Sequence, residues 1–107
     1  MDENKVYDVI LETTASQDLY GILDYITGVL KAPESAERIY QSIKDQVLSL
    51  DKMPYRFTLV KEEPFASIGV RLVPVESYNA FYVIDEHKSE VHVFRILYNR
   101  REWRNIL

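Results

Sequence analysis

The chain has 107 residues, of which 47% are hydrophobic and 12% aromatic, so it fits one folded domain and is not a disordered chain. It has no cysteine, which excludes disulfides, thiol catalysis and sulfur-ligated metals and fits a reducing cytoplasm. The net charge is −4, with −6 in residues 1–51 and +2 in residues 52–107, which argues against binding of polyanions through the whole surface. Apolar runs are short, so neither a signal peptide nor a membrane span is expected.

The first half of the chain predicts a strand followed by two helices. Residues 5–11 (KVYDVIL) are rich in β-branched and aromatic residues, and the run is too short for a helix before the polar residues 12–14, which favours a strand. Thr14 and Gln17 have the spacing of a capping box, and apolar residues then recur at helical spacing to Leu30. Pro33 suits the first position of a second helix, which Pro54 ends.

The second half changes to the pattern of short strands. Residues 57–60, 69–75, 79–85 and 91–98 are β-rich runs separated by polar, turn-like stretches. The expected fold is α+β: an N-terminal strand, a two-helix hairpin, an antiparallel meander of three to four strands and a short C-terminal segment. The helices should cover one face of the sheet and leave the other face open for function.

The two histidines and three glycines carry no recognisable cofactor chemistry. His87 falls in a predicted hairpin turn and is expected on the surface, whereas His92 is expected in cross-strand packing. No metal-ligand spacing, phosphate loop or nucleotide fingerprint can be built from these residues. We therefore expect no cofactor and no metal ion.

Two arginines interrupt apolar rows of the predicted strands. By strand alternation, Arg71 shares a face with Val73 and Val75, and Arg95 shares one with Val91, Val93 and Leu97. One explanation is an ion pair at a sheet margin with an acid such as Glu63, Glu76 or Asp85. The other is a site for phosphate or carboxylate, which the guanidinium fork binds bidentately.

The C-terminal segment combines arginines with aromatic residues. Arg95, Arg100, Arg101 and Arg104 lie among Tyr98 and Trp103, a mixture that can hold RNA by phosphate pairing and base stacking. The alternative is a short helix in which Trp103, Ile106 and Leu107 dock on the core while the arginines face water.

Over nearly its whole length the chain resembles the RelE/ParE superfamily of bacterial type II toxins. The order and spacing of several short segments carry this resemblance: residues 13–19 (TTASQDL), 32–33 (AP), 50–54 (LDKMP), 69–71 (GVR), 78–85 (YNAFYVID) and 93–103 (VFRILYNRREW). The resemblance implies a single toxin domain over residues 1–107 that a cognate antitoxin neutralises in a hetero-oligomeric complex. Members of the superfamily either cleave mRNA on the ribosome or poison DNA gyrase, and a shared fold does not decide between the two.

For mRNA cleavage, the resemblance assigns roles to five residues. Glu63, which precedes a proline as in one ribonuclease branch, would be the general base that deprotonates the 2′-hydroxyl. Arg71, Arg95 and Arg100, with Arg101 as an alternative to Arg100, would stabilise the phosphate. Tyr98 would protonate the leaving oxygen.

Three hypotheses follow from this comparison. The first, which the sequence favours by a small margin, is a metal-independent endoribonuclease that blocks translation by cleaving mRNA on the ribosome. Two features weaken it: Asn79 replaces an arginine of the ribonuclease members, and the chain is acidic. The second is an inhibitor of DNA gyrase that acts by protein contact without chemistry. The third is an inactive toxin that is kept only for complex formation.

Overall fold

The computed structural model describes residues 4–101 and 103–107, so residues 1–3 and Glu102 of the C-terminal segment lie outside the described part. One four-stranded sheet has the strand order β1-β4-β3-β2. The strands are β1 (Asp8–Leu11), β2 (Arg71–Val75), β3 (Tyr78–Asp85) and β4 (Glu90–Tyr98). β2, β3 and β4 form an antiparallel meander, and β1 pairs parallel to β4.

The predicted helical hairpin is confirmed. Helix α1 (Thr13–Asp24) continues into a π-helical turn at Tyr25–Val29, and α2 (Pro33–Leu48) begins at the predicted proline. A third short helix, α3 (Phe65–Ile68), precedes β2, and 3₁₀ turns form at Ser49–Asp51, Pro54–Arg56 and Trp103–Asn105. The α+β fold class predicted from the sequence is therefore confirmed. Within the described residues, none of these helices has the length and apolar character needed to cross a membrane.

The capping box predicted at Thr14 and Gln17 is not formed. Helix α1 begins at Thr13, and its N-cap is Glu12, two residues before the predicted Thr14; Glu12 makes no side-chain hydrogen bond to the helix. The Glu12 carboxylate instead meets the imidazole of His92 on β4, with Oε1 2.6 Å from Nδ1. A contact between residues far apart in the chain has replaced the local cap.

The main core lies between the helical hairpin and one face of the sheet. Ala15 and Leu19 of α1 and Ile43 and Val47 of α2 pack there against alternate residues of the strands. The strand residues in this core are Val73, Val75, Ala80, Tyr82, Val91, Val93 and Ile96. The Tyr82 hydroxyl is satisfied inside this core because it donates to the Pro54 carbonyl at 2.6 Å.

The other face of the sheet is covered, contrary to the expectation of an open face. A second cluster contains Phe81 and Leu97, with Phe65, Trp103 and other C-terminal residues packed against it. The Trp103 ring lies 5.8 Å from the Phe65 ring and 5.5 Å from the Phe81 ring, centroid to centroid. The docking interpretation of Trp103 is confirmed, and this face is a second core.

A β-bulge changes which residues share a face on β4. Phe81 pairs with Arg95 but Tyr82 pairs with Val93, so Phe94 is an extra residue. Val91 and Val93 consequently belong to the main core and Leu97 belongs to the second cluster. The predicted common face of Arg95 with all three residues is wrong, because a bulge interrupts strict alternation. Alternation does hold on β2, where Arg71, Val73 and Val75 share a face.

The predicted strand at residues 57–60 forms only an isolated bridge between Leu59 and Arg71. It runs along the outer edge of β2, where Val60 N–H donates to the Val70 carbonyl at 2.8 Å. The meander therefore has three strands, and the 57–60 segment covers part of its edge, which would otherwise present unpaired backbone groups.

Candidate functional site

Arg95 is held by an ion pair with α1. Its Nε and Nη2 donate to the two carboxylate oxygens of Asp18 at 2.8 and 3.0 Å, and the Asp18 carboxylate also accepts the Ile96 backbone N–H at 3.0 Å. The two side chains are only 19% and 15% exposed. The pair lies where β4 extends beyond the end of β1, so Asp18 satisfies a backbone group that has no strand partner there.

Arg71 is held by backbone carbonyls on the hairpin side of the sheet. Its Nη1 donates to the Phe57 carbonyl at 2.7 Å and to the Tyr55 carbonyl at 3.2 Å, and the guanidinium carbon lies 5.2 Å from the centre of the Tyr55 ring. Neither of the two explanations predicted for Arg71, an acidic partner or an anion site, describes these contacts. The guanidinium ties the 54–57 turn to the sheet.

Tyr55 belongs to a network around the Glu86 carboxylate. That carboxylate accepts hydrogen bonds from Tyr55 at 2.6 Å, from Tyr7 at 2.9 Å and from Lys5. The bonds from Lys5, Tyr55 and Tyr7 lower the pKa of Glu86 to about 2, and the bond to Glu86, with burial, raises the pKa of Tyr55 to about 12. The network joins the chain before β1 to the β3–β4 turn.

The Glu63 side chain is bonded to the short helix α3, which follows it in the chain. Its carboxylate accepts the Ser67 backbone N–H at 2.8 Å and the Ser67 hydroxyl at 2.6 Å, and these bonds lower the pKa of Glu63. The side chain is exposed and stands just before α3, whose Phe65 packs on the second cluster. Glu63 therefore belongs to a segment on the sheet face opposite the hairpin.

Tyr98 ends β4 and is 45% exposed. Its ring meets the Tyr78 ring edge-on, with centroids 5.9 Å apart, and burial raises the pKa of Tyr78. Tyr98 pairs with Tyr78 and Arg71 pairs with Tyr82, so the two register positions lie four residues, about 13 Å, apart along β3. Arg100 and Arg101 follow in an exposed turn, and neither forms an ion pair with any residue in the described ranges.

A cleft of about 700 Å³ opens beside Tyr98, between α1 and the ends of β3 and β4. Gly21 of α1 lies on one wall, and Tyr78, Tyr98 and Arg101 line the other. Tyr25 and Leu30, which follow α1, also line the cleft and are 54% and 56% exposed. Most of the other lining residues are aromatic or aliphatic, and the charged ones are Arg101 and Asp18, the latter paired with Arg95. We call it the α1–β4 cleft.

Gly21 is unusual because it lies in the interior of α1. A glycine there costs about 1 kcal/mol of helix stability relative to alanine. A Cβ built on Gly21 would meet nothing within 4 Å, and its φ is not positive, in contrast to that of Gly69. Within the described part of the chain, neither packing nor backbone conformation requires this glycine.

The family of the chain is shown by a match to the model of the "ParE toxin of type II toxin-antitoxin system, parDE" over residues 9–103. The chain belongs to the ParE toxin family. It is a type II toxin of the RelE/ParE superfamily, as the resemblance predicted.

Solved structures agree with this ParE-family assignment. A chain of the chromosomal ParDE toxin–antitoxin system from P. aeruginosa is 26% identical, with a TM-score of 0.71 over 89% of this chain and 98% of that chain. A chain of the RelBE2 toxin–antitoxin complex from Mycobacterium tuberculosis is 23% identical and has the same fold, with a TM-score of 0.64 over 87% of this chain and 98% of that chain. No curated protein matches the chain.

In this ParE-family toxin the five candidate side chains are not brought to one point. Arg71 and Arg95 are engaged with other parts of the fold, and Glu63 is bonded to Ser67 on the opposite face. Tyr98 and Arg100 are near each other in the chain at the end of β4. No three His, Cys, Asp or Glu residues in the described ranges are grouped as metal ligands.

Sequence reasoning missed the α1–β4 cleft. Two signals pointed to it: a glycine inside a helix and a tyrosine, Tyr25, outside the predicted core positions. Neither is decisive alone, because the wall opposite Gly21 is built from residues more than 50 positions later in the chain.

Proposed function

We propose that this ParE-family toxin inhibits DNA gyrase by direct protein contact in the cytoplasm, and that an antitoxin holds it in an inactive complex. The observation that carries the proposal is the separation of the candidate catalytic groups, three of which are bonded within the fold. The ParE family match and the two toxin–antitoxin neighbours support the assignment.

Cleavage of RNA through the 2′-hydroxyl needs a base, cationic groups and an acid around one phosphate. Each group must be within hydrogen-bond reach, about 3 Å, of the atom that it serves. Glu63 has a lowered pKa because it is bonded to Ser67, which makes it a weaker base. Arg71 donates to two carbonyls, and its register position lies about 13 Å along β3 from that of Tyr98, which argues against both side chains contacting one phosphate in the present arrangement.

The surface chemistry fits a protein target. Tyrosine and arginine are enriched where proteins bind each other, and exposed tyrosines with arginines beside them surround the end of β4. The net charge of −4 gives no general attraction to ribosomal RNA.

Ribosome-associated mRNA cleavage is the second candidate, and one observation favours it. Tyr98 is 45% exposed, and Arg100 beside it has no ion-pair partner in the described ranges, so this end of β4 could present a proton donor and a cation to a phosphate. In that mechanism Tyr98 and Arg100 would act together with Glu63, Arg71 and Arg95. These last three residues would first have to leave their present partners, which are Ser67, the Phe57 carbonyl and Asp18.

Two assays with the same protein separate these functions. Purified toxin is titrated into a gyrase supercoiling reaction and into an in vitro translation reaction whose mRNA is analysed for cuts. The proposal expects loss of supercoiling, intact mRNA and full potency for Glu63→Gln. Glu34→Gln, the same change at an exposed position of α2, is the matched control.

The opposite pattern would overturn the proposal. If the wild-type toxin cuts mRNA and Glu63→Gln lowers the cleavage rate by about 10²-fold or more, the protein is a ribonuclease with a general base. Inactivity of the folded wild-type protein in both assays would identify an inactive toxin.

A further inference from the structure

We propose that the outer edge of β1 and the apolar cleft beside it form a docking surface for a partner protein, which adds an extended segment of alternating apolar and basic residues to the sheet. This surface lies away from the α1–β4 cleft, along the first strand. The inference goes beyond the proposed function and does not depend on whether the toxin acts on gyrase or on mRNA.

The first argument is the open edge of β1, which is an outermost strand of the sheet. The Asp8 N–H donates to the Ser89 carbonyl at 2.9 Å, so the backbone groups of Asp8 face β4. Those of Val9 and Leu11, which alternate with them, point away from the sheet. Among the described residues, no backbone group bonds to this side of β1 at Val9 or Leu11. Such an edge is a template to which another chain can add a strand.

The second argument is an apolar cleft of about 170 Å³ that opens between β1 and α2. Leu11, Tyr40 and Leu48 line it and are 36%, 39% and 52% exposed. The cleft lies on the hairpin side of β1, because Val9 and Leu11 both contribute to its wall. A strand added to β1 would place every second side chain on this side, where the cleft can bury an apolar one.

The third argument is charge, which differs between the two sides of the edge. Lys44 is the charged residue that lines the cleft, and it forms no ion pair within the described ranges. On the opposite side, Asp8 lies beside Glu90 in register. Glu12 is also on that side, since its carboxylate contacts His92, whose two neighbours in β4 face the main core. An added strand therefore matches the edge when its basic side chains face the acids and its apolar side chains face the cleft.

These charges argue against a second copy of the toxin as the occupant. If two β1 strands paired antiparallel through Val9 and Leu11, Asp8 of one copy would face Glu12 of the other. Like charges directly opposite each other destabilise a strand pair. The observations therefore select another protein, whose segment carries lysine or arginine at alternate positions.

The experiment uses purified full-length toxin and a blocked peptide, Lys-Val-Lys-Leu-Lys-Val-Lys, as the probe. Amide hydrogen exchange measured by NMR reports each residue of β1 separately. In the free toxin, the Val9 and Leu11 amides should exchange at least tenfold faster than the Ile10 amide, which faces β4. Saturation with the probe should slow exchange at Val9 and Leu11 at least tenfold.

Control peptides and toxin variants test the pattern. A peptide with the alternation broken, Lys-Lys-Val-Leu-Val-Lys-Lys, and the version with glutamate in place of lysine should each bind at least tenfold more weakly than the probe. Leu48→Glu should weaken probe binding about tenfold, whereas Ile68→Glu, the same change at an exposed residue of α3, should leave it unchanged. Asp8→Asn should weaken binding about threefold and reduce its dependence on salt.

Four results would each overturn the proposal. Absence of probe binding, or equal binding of the two lysine peptides, would leave only a general attraction of cations to an acidic protein. Slow exchange at Val9 and Leu11 in the free toxin would mean that the edge is already covered. Wild-type affinity in folded Leu48→Glu would remove the cleft from the surface. Loss of probe binding in the toxin–antitoxin complex would assign the edge to the antitoxin. The exchange measurement needs no variant, so it decides the matter even if Leu48→Glu fails to fold.

Discussion

Replacing Asp18 with asparagine should lower the stability of the domain far more than its single charge suggests. The carboxylate accepts three hydrogen bonds, two from Arg95 and one from the Ile96 backbone. The asparagine amide has one oxygen and one NH₂ group, so at least one of the three donors must face another donor. Any bonds that survive lose their anionic acceptor.

The expected loss can be worked out from these contacts. A hydrogen bond to a charged group contributes about 1.5–3 kcal/mol and a neutral one about 1 kcal/mol, so one lost bond and two weakened bonds total about 3 kcal/mol. Solvent screens the pair little, because its side chains are only 15% and 19% exposed. In a domain of this size the loss corresponds to a fall in Tm of roughly 12–20 °C.

Chemical denaturation followed by circular dichroism measures this loss, with Asp24→Asn as the control. Asp24 is the last residue of α1 and is exposed, and its side chain has no hydrogen bond or ion pair with residues in the described ranges. The same change there should therefore stay within about 0.5 kcal/mol of wild type. If Asp18→Asn and Asp24→Asn have equal unfolding free energies, the assigned role of the carboxylate at the edge of β4 is wrong.

Three further outcomes are expected. Hydrogen bonds that the His92 ring donates to the Glu12 and Glu90 carboxylates raise the pKa of His92 above 6.5. Its stabilising contribution is therefore complete below pH 6.5 and is lost as the pH rises through the raised value; melts across this range should show the decline, and His92→Gln should remove it. Trp103→Ala should lower the unfolding free energy by about 2–3 kcal/mol, since it removes two ring contacts from a partly buried site, and urea titration would contradict this if the midpoint did not move. Tyr98→Phe should remain folded and keep its gyrase inhibition, whereas mRNA cleavage by the wild type that fell about 10²-fold or more in this variant would point to the hydroxyl as a proton donor.

Most of the fold could be predicted because local signals and tertiary contacts agree. Pro33 begins α2 as its fixed φ and missing N–H suggest, and the β-rich runs become β2, β3 and β4. The predicted helix cap at Thr14 was wrong: Glu12 occupies the N-cap position, and its side chain contacts His92, which is 80 residues away in the chain. The prediction of which β4 residues share a face was wrong beyond Val93, because the extra residue of the bulge reverses the alternation of side chains.

The candidate site was less predictable than the fold. Arginines in apolar rows signalled unusual contacts, but their partners proved to be the Phe57 carbonyl for Arg71 and Asp18 for Arg95. Backbone acceptors carry no side-chain signature, and Asp18 lies on a helix whose position against β4 depends on tertiary packing. The C-terminal aromatic signal at Trp103 was correctly linked to docking, although the sheet face that it covers was expected to be open.

The parallel pairing of β1 with β4 has a consequence for how the toxin matures. Val9 lies beside Val91, so the first and last strands meet across a sequence separation of 82 residues. Contacts between such distant residues impose a large loop-closure entropy and slow folding. During synthesis, the sheet cannot be completed until β4 has left the ribosomal exit tunnel. A nascent chain should therefore lack the completed sheet, and the surface at the end of β4 that depends on it, until this strand has emerged from the ribosome.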